Sequence, residues 1–386
     1  MRILYASIPA WGHALPVLPG LAELRERGHE VRMLASAGFE REVAAHVEAI
    51  AYHSPMDDPA NPVDLADMGA VLPTLLAEAR SAFAALSAQQ RPDLPDVVVA
   101  DVLSMAGWLY AHAVGLPLVR VWPVFASNSE FSLHTDYASR HDDESSTAAF
   151  FGAAAEFLAE VGLASVPPER FFDNEADHNI ALYPREVQPR GETFDDRFSF
   201  VRPCVRPPEE SADLAWLRGD GPLVAVTLGT VFTHNVDFFR ACVAGVDRLG
   251  WRAAVAAGPT LTRADLGPVS ERVVLRSRLP MIDTLRHASV LVSHGGLTSA
   301  LEALVHGVPV VVAPQIGEQR AVADRVEALG VGVRLREPVT PESVAEQVGA
   351  VAADRGMAAR VADLRTRLVD GHPGAEFADA LEMAVL

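Results

Sequence analysis

His294, Gly295, Gly296, Thr298 and Ser299 stand almost side by side in the stretch LVSHGGLTSALEALVHGVPVVVAPQIGEQR, residues 291–320. The apolar residues before them read as a strand, and those after them as a helix that stops at Gly307. A helix N-terminus presents unpaired N–H groups and a partial positive charge, so it attracts anions. The two glycines let the backbone approach a ligand closely. The two hydroxyls and the ring N–H of His294 add donors, and His294 with the helix end is expected to supply a positive field. Gly296 is the glycine expected to be essential for that approach. Glu302 lies three residues after Ser299 and therefore on the same side of the helix. Its carboxylate can accept from two hydroxyls of a ribose. A second strand follows, and Glu318 and Gln319 stand just past its carboxyl end, where they can read a second sugar. Phosphate, ribose and hexose readers within one segment describe a nucleotide-sugar site. Singly, each feature also fits a blander role: a turn, a solvated helix face, a charge at a helix start.

A second constellation lies near the N-terminus. PAWGHALP places His13 after the first strand, and DVVVAD ends in Asp101. Histidine titrates near neutrality and can accept a proton at working pH. A carboxylate on the same sheet edge can hold the other ring nitrogen and stabilise the imidazolium. The alternative is that His13 caps or fills a turn.

The 291–320 segment resembles the donor-binding signature of the inverting nucleotide-sugar glycosyltransferases of family 1, which have the GT-B fold. That group includes plant natural-product enzymes and the antibiotic glycosyltransferases of actinomycetes. The family's pattern is matched at His294, Gly296, Ser299, Glu302, Gly307, Pro309, Pro314, Gln315, Glu318 and Gln319. Its Gly-His-x-x-Pro loop is matched by Gly12, His13 and Pro16. The resemblance implies that His13 is the catalytic base, that Asp101 is its partner, and that Arg278 and Leu279 lie by the nucleobase. It implies transfer of a sugar to a small-molecule acceptor with no metal and no further cofactor. Two departures stand out. Arg278 lies near the place where plant enzymes stack a Trp on the base, and Thr298 stands where plants have Asn and many antibiotic enzymes have Gly. Both favour a dTDP-deoxysugar over a plant-like UDP-glucose, and an apolar, polyketide-like acceptor is expected.

These residues need strand ends to carry them. RILYASI, EVRMLA, DVVVAD and LPLVRVW are apolar runs suited to buried parallel strands, separated by helical stretches such as Ala14–Arg27 and SMAGWLYAHAV. Segments 54–92 and 123–178 interrupt the alternation as insertions. The Pro- and charge-rich stretch RPCVRPPEESADLAWLR reads as a linker. After it the alternation restarts with PLVAVTLGT, and a short helix near Met281–His287 follows later. The expectation is an α/β chain of two facing Rossmann-like, doubly wound domains with a cleft between them. Residues 1–205 form an acceptor domain, 206–220 a linker and 221–386 a nucleotide-sugar domain, whose last helix can pack back on the first.

Composition closes off other classes. A formal charge of −19 argues against nucleic-acid binding. All basic residues are Arg and none is Lys, which excludes Schiff-base and Walker-lysine chemistry. No apolar run is long enough to span a membrane, and no signal peptide is read, so a cytoplasmic protein is expected. Cys204 and Cys242 lack metal-like spacing. His53, His112, His134, His141, His178 and His234 show no metal-like pairing and read as surface or packing residues. A homodimer is allowed. The rivals are a sugar-nucleotide 2-epimerase on the same fold and a non-catalytic nucleotide-binding partner of another transferase.

Overall fold

A computed structural model describes residues 1–57, 68–88, 94–137, 144–171, 176–205, 214–229 and 235–385. His141, His234 and residues 206–213 of the expected linker lie outside the described residues, as does the side chain of His134. The chain forms two compact units. The first comprises Met1–Cys204 with Gly371–Leu386, and the second Val205–Asp370.

In the first unit seven strands form one sheet: β1 Arg2–Ala6, β2 Glu30–Ser36, β3 Glu48–Tyr52, β4 Val97–Asp101, β5 Leu118–Trp122, β6 His178–Ala181 and β7 Phe198–Phe200. Their order is β3-β2-β1-β4-β5-β6-β7, and every pairing is parallel. In the second unit β8 Leu223–Thr227, β9 Arg252–Ala256, β10 Val273–Arg276, β11 Val290–Ser293, β12 Val310–Val312 and β13 Gly332–Arg334 pair in the order β10-β9-β8-β11-β12-β13, again all parallel. Strands covered by helices on both faces are mainly apolar, and β4, β8, β11 and β12 are buried at every position, including the polar Asp101, Thr227 and Ser293 at three of their ends. Strands β3, β6 and β7 were not read from the sequence. They lie at or next to the sheet's edges, where the apolar pattern is weakest, and β6 and β7 are also short.

The expected helix Ala14–Arg27 is two helices, Trp11–Ala14 and Leu18–Glu26. Pro16 falls between them and has no N–H to give to the preceding turn. Pro19 sits in the first turn of the second helix, where that N–H has no partner to lose. The expected insertions contain the helices Met68–Ser87 and Glu144–Glu160. Part of the expected linker is not a linker: Leu217 is buried against Leu223, Ala254, Ala256 and Leu279 in the second unit's core.

The last helix, Pro373–Val385, packs within the first unit. Phe377 and Leu381 are fully buried beside Leu18, Leu21 and Leu24. A Cβ at Gly20 would stand 2.4 Å from Cδ1 of Phe377, so only glycine lets the two helices meet there. Arg27 reaches Asp379 at 2.6 Å and Glu382 at 2.9 Å, and His29 Nε2 lies 2.8 Å from Glu382. These pairs are partly exposed and contribute little; the apolar contact carries the helix. Phe377→Ala is therefore expected to cost about 3–5 kcal/mol in chemical denaturation, far more than Glu382→Ala.

Candidate functional site

In the first sheet Ala6 of β1 is paired with Ala100 of β4, so the chain leaving β1 passes beside Asp101. It turns at Ile8–Ala10 and enters the short helix that carries His13. Nδ1 of His13 lies 2.9 Å from Oδ2 of Asp101. The Asp101 side chain is 0% exposed and that of His13 13%. The second carboxylate oxygen accepts from the N–H of Leu103 at 2.8 Å. The Asp101 carbonyl accepts from the Ser104 N–H at 2.9 Å and from Arg120 Nη1 at 3.3 Å. Asp101 is thus held from several directions. A carboxylate at Nδ1 fixes the ring tautomer with the proton on Nδ1, which makes Nε2 the accepting nitrogen.

The helix Met105–Val114 lies directly on this strand pair. A Cβ at Gly107 would stand 2.8 Å from Cβ of Ala6 and 2.9 Å from Cβ of Ala100. Burial, reinforced by the charge of Asp101, raises the pKa of the Tyr5 phenol well above its ordinary value. Tyr5 stays protonated and does not compete as a base.

In the second sheet Ser293 of β11 is paired with Thr227 of β8. Beyond the ends of these strands His294 meets Gly229. A Cβ at Gly229 would stand 2.7 Å from Cε1 of His294, and one at Gly296 would stand 3.0 Å from Nε2. The imidazole is therefore flanked by two glycines and is 9% exposed. Gly229 was missed in the sequence, because it lies far from His294 along the chain and sits in an unremarkable Leu-Gly-Thr turn. Gly296 caps the helix Leu297–Val305 and brings no side chain to its first turn. Thr298 and Ser299 are half-buried there, and Glu302 is 6% exposed one turn further on.

The structure corrects several expectations. Burial lowers the His294 pKa to about 4. The ring is neutral at working pH and offers a hydrogen bond, so the positive field comes from the helix end without it. The backbone demand sits at Gly295 more than at Gly296. Gly295 has φ +92, and a Cβ there would stand 2.5 Å from Cγ1 of Val312; Gly296 has φ −61. That close approach also brings the His294 turn against the segment after β12. There Gln319, 3% exposed, is partly committed to the backbone: its Oε1 accepts from the N–H groups of Gln315 at 2.7 Å and Ile316 at 3.3 Å. Glu318 is half-buried in the first turn of the helix Gly317–Leu329.

Arg278 is exposed after β10, and the side chain of Leu279 belongs to the core, leaving its backbone for a ligand. β10 stands three strand spacings from β11, roughly 14 Å, so Arg278 marks the far end of the region. Among the described residues no group of three His, Cys, Asp or Glu side chains is placed to hold a metal ion. No helix of the described residues is long and apolar enough to cross a membrane. His112 is a packing residue, with its ring 4.2 Å from that of Trp108, while His53 and His178 are exposed.

Two outcomes follow from the turn. Between pH 6.5 and 4 the unfolded chain binds a proton at His294 that the folded chain refuses. Its contribution to stability is full above 6.5 and is lost as the pH falls toward 4, by up to about 3 kcal/mol. Denaturation of His294→Gln across this window should show a shallower pH dependence than the wild type. An unchanged slope would contradict the buried neutral ring. Gly295→Ala should lower the unfolding midpoint more than Gly296→Ala, since only the first forces a left-handed alanine.

Known proteins resemble this chain in sequence and in fold. Residues 252–383 match the profile of a family described as erythromycin biosynthesis protein CIII-like, C-terminal domain. The chain is 32% identical over 369 residues to NDP-glycosyltransferase YjiC of Bacillus subtilis (strain 168), covering 94% of this chain and 92% of that protein. It is 34% identical over 346 residues to demethyllactenocin mycarosyltransferase of Streptomyces fradiae, covering 86% and 75%. The solved structure of CalG4, the calicheamicin glycosyltransferase, matches with a TM-score of 0.80 at 30% identity, covering 100% of this chain and 98% of that one.

Proposed function

The chain belongs to the family 1 GT-B glycosyltransferases of the actinomycete natural-product type, and on that footing we propose that it moves a deoxysugar from a dTDP- or UDP-linked donor to a hydroxyl of an apolar, polyketide-like acceptor. The observation that carries the reading is the His13–Asp101 pair, a base fixed by a fully buried carboxylate.

In this reading Nε2 of His13 takes the acceptor proton. The freed oxygen attacks the anomeric carbon on the face opposite the leaving diphosphate, and the configuration inverts. Asp101 stabilises the imidazolium that forms. The diphosphate gains charge as it leaves, and the N-terminus of the helix Leu297–Val305 meets that charge with the Thr298 and Ser299 hydroxyls. Neutral His294 adds a ring N–H. Glu302 takes the ribose hydroxyls, Glu318 and Gln319 the hexose, and Arg278 and Leu279 flank the base. The departures at Arg278 and Thr298 support thymidine over uridine. No metal takes part, because the helix end and the hydroxyls provide for the leaving group.

The test uses purified protein with 4-methylumbelliferone as acceptor and dTDP- and UDP-hexoses as donors, with product followed by chromatography. His13→Ala should reduce turnover by roughly 10²–10⁴-fold and leave binding of the nucleoside diphosphate unchanged. Chelator should change neither binding nor rate. Near-wild-type turnover in His13→Ala would remove the base from His13, and loss of rate on chelation would overturn the metal-free step. An epimerised donor formed without acceptor would favour the epimerase.

A further inference from the structure

One loop of the first unit is tied down more heavily than its position requires. The chain leaving β5 starts beside the catalytic carboxylate: Val121 is paired with Asp101, and the Val102 N–H donates to the Val121 carbonyl at 3.0 Å. The loop over residues 124–131 rises from that point on the carboxyl edge of the sheet. A single later segment, residues 183–193, reaches it at three points, Ala126, Asn128 and Glu130.

At Ala126 the tie imitates a strand pairing. The Ala126 N–H donates to Oε1 of Gln188 at 3.0 Å, and Nε2 of Gln188 donates to the Ala126 carbonyl at 3.0 Å. The Tyr183 hydroxyl accepts from the same N–H at 2.8 Å. Gln188 and Tyr183 are both 0% exposed. At Asn128 the side chain closes its own turn by accepting from the N–H groups of Glu130 and Phe131, each at 2.9 Å. Its Nδ2 donates to the Thr193 hydroxyl at 2.9 Å. At Glu130 the carbonyl accepts from Nη1 of Arg190.

The tying segment is itself stiffened. Arg185 donates to the carbonyls of Gly191 at 2.9 Å and Phe194 at 2.6 Å. A Cβ at Gly191 would stand 2.4 Å from the Arg185 carbonyl oxygen. Arg190 has φ 51 and is the one non-glycine residue with positive φ among the described residues. Glycine would take that conformation without strain. An arginine there is explained by its side chain, which reaches Glu130. Strain of this kind persists where surrounding structure enforces it, and it concentrates at functional sites.

We propose that residues 183–193 are a brace that holds loop 124–131 as a fixed wall of the acceptor site, with Gln188 and Arg190 as positioning residues for the acceptor. The inference rests on the reading that the acceptor meets His13. The wall is shaped in advance, so binding does not have to order it.

Arg190→Gly tests this without threatening the fold, because glycine suits the backbone there. Its melting temperature should equal or exceed that of the wild type. Hydrogen exchange should quicken at the amides of loop 124–131 and stay unchanged in β4. With 4-methylumbelliferone the acceptor KM should rise roughly three- to tenfold, the equivalent of one lost hydrogen bond. The donor KM should not move. Arg190→Lys keeps a donor and should restore most of the acceptor KM. Unchanged loop exchange in Arg190→Gly would overturn the brace, and unchanged acceptor KM would overturn its role in acceptor binding. If the wild type transfers no sugar to any acceptor, the functional reading fails instead, while loop exchange still decides whether the brace exists.

Discussion

Each sheet begins in its middle. β1 and β8 are the first strands of their sheets, and each has the next two strands on one side and a later strand, β4 or β11, on the other. Parallel crossovers are right-handed, so the connections leaving such a central pair diverge to opposite faces. The divergence opens a crevice at the carboxyl ends that no side chain is obliged to fill. The proposed chemistry of both units gathers at these points. His13 and Asp101 meet beyond β1 and β4, and His294 and Gly229 meet beyond β8 and β11. The apolar, doubly buried strands hold these ends in register.

The two histidines show how the same residue type acquires different properties in similar topological positions. His13 faces a buried carboxylate and keeps part of its surface open. That is the environment of a group that gains a proton and is stabilised when it does. His294 is enclosed between glycines, and burial pushes its pKa down to about 4. It is suited to donate one hydrogen bond and to stay uncharged. In the proposed transfer the first takes up the acceptor proton, and the second stays uncharged.

Small residues set the tolerances around both crevices. Gly107 lets a helix rest on the β1–β4 pair, and Gly295 lets the His294 turn rest on β12. Gly20 does the same for the last helix, which returns to the first unit. Where the chain lacks a strand partner it uses side chains, as when Gln188 pairs with the backbone of Ala126. Such buried amides have to be satisfied on both sides, which makes them rigid anchors.

The sequence by itself determined what depends on neighbours along the chain. The apolar runs marked the main strands. The spacing of His294, Thr298, Ser299 and Glu302 marked a strand, turn and helix that the structure contains. The pairing of His13 with Asp101 was also legible, because Asp101 closes β4 and His13 follows β1 on the same sheet edge. Tertiary structure alone decided what depends on burial and on distant segments. Gly229 joined His294 through strand pairing, a relation with no local signature. The Gln319 amide oxygen was found to cap its own helix, and the Leu279 side chain entered the core. The final helix belongs to the first unit, where Phe377 packs against Gly20. The charge state of His294 followed from desolvation, which is a property of the packed surroundings and cannot be read from spacing.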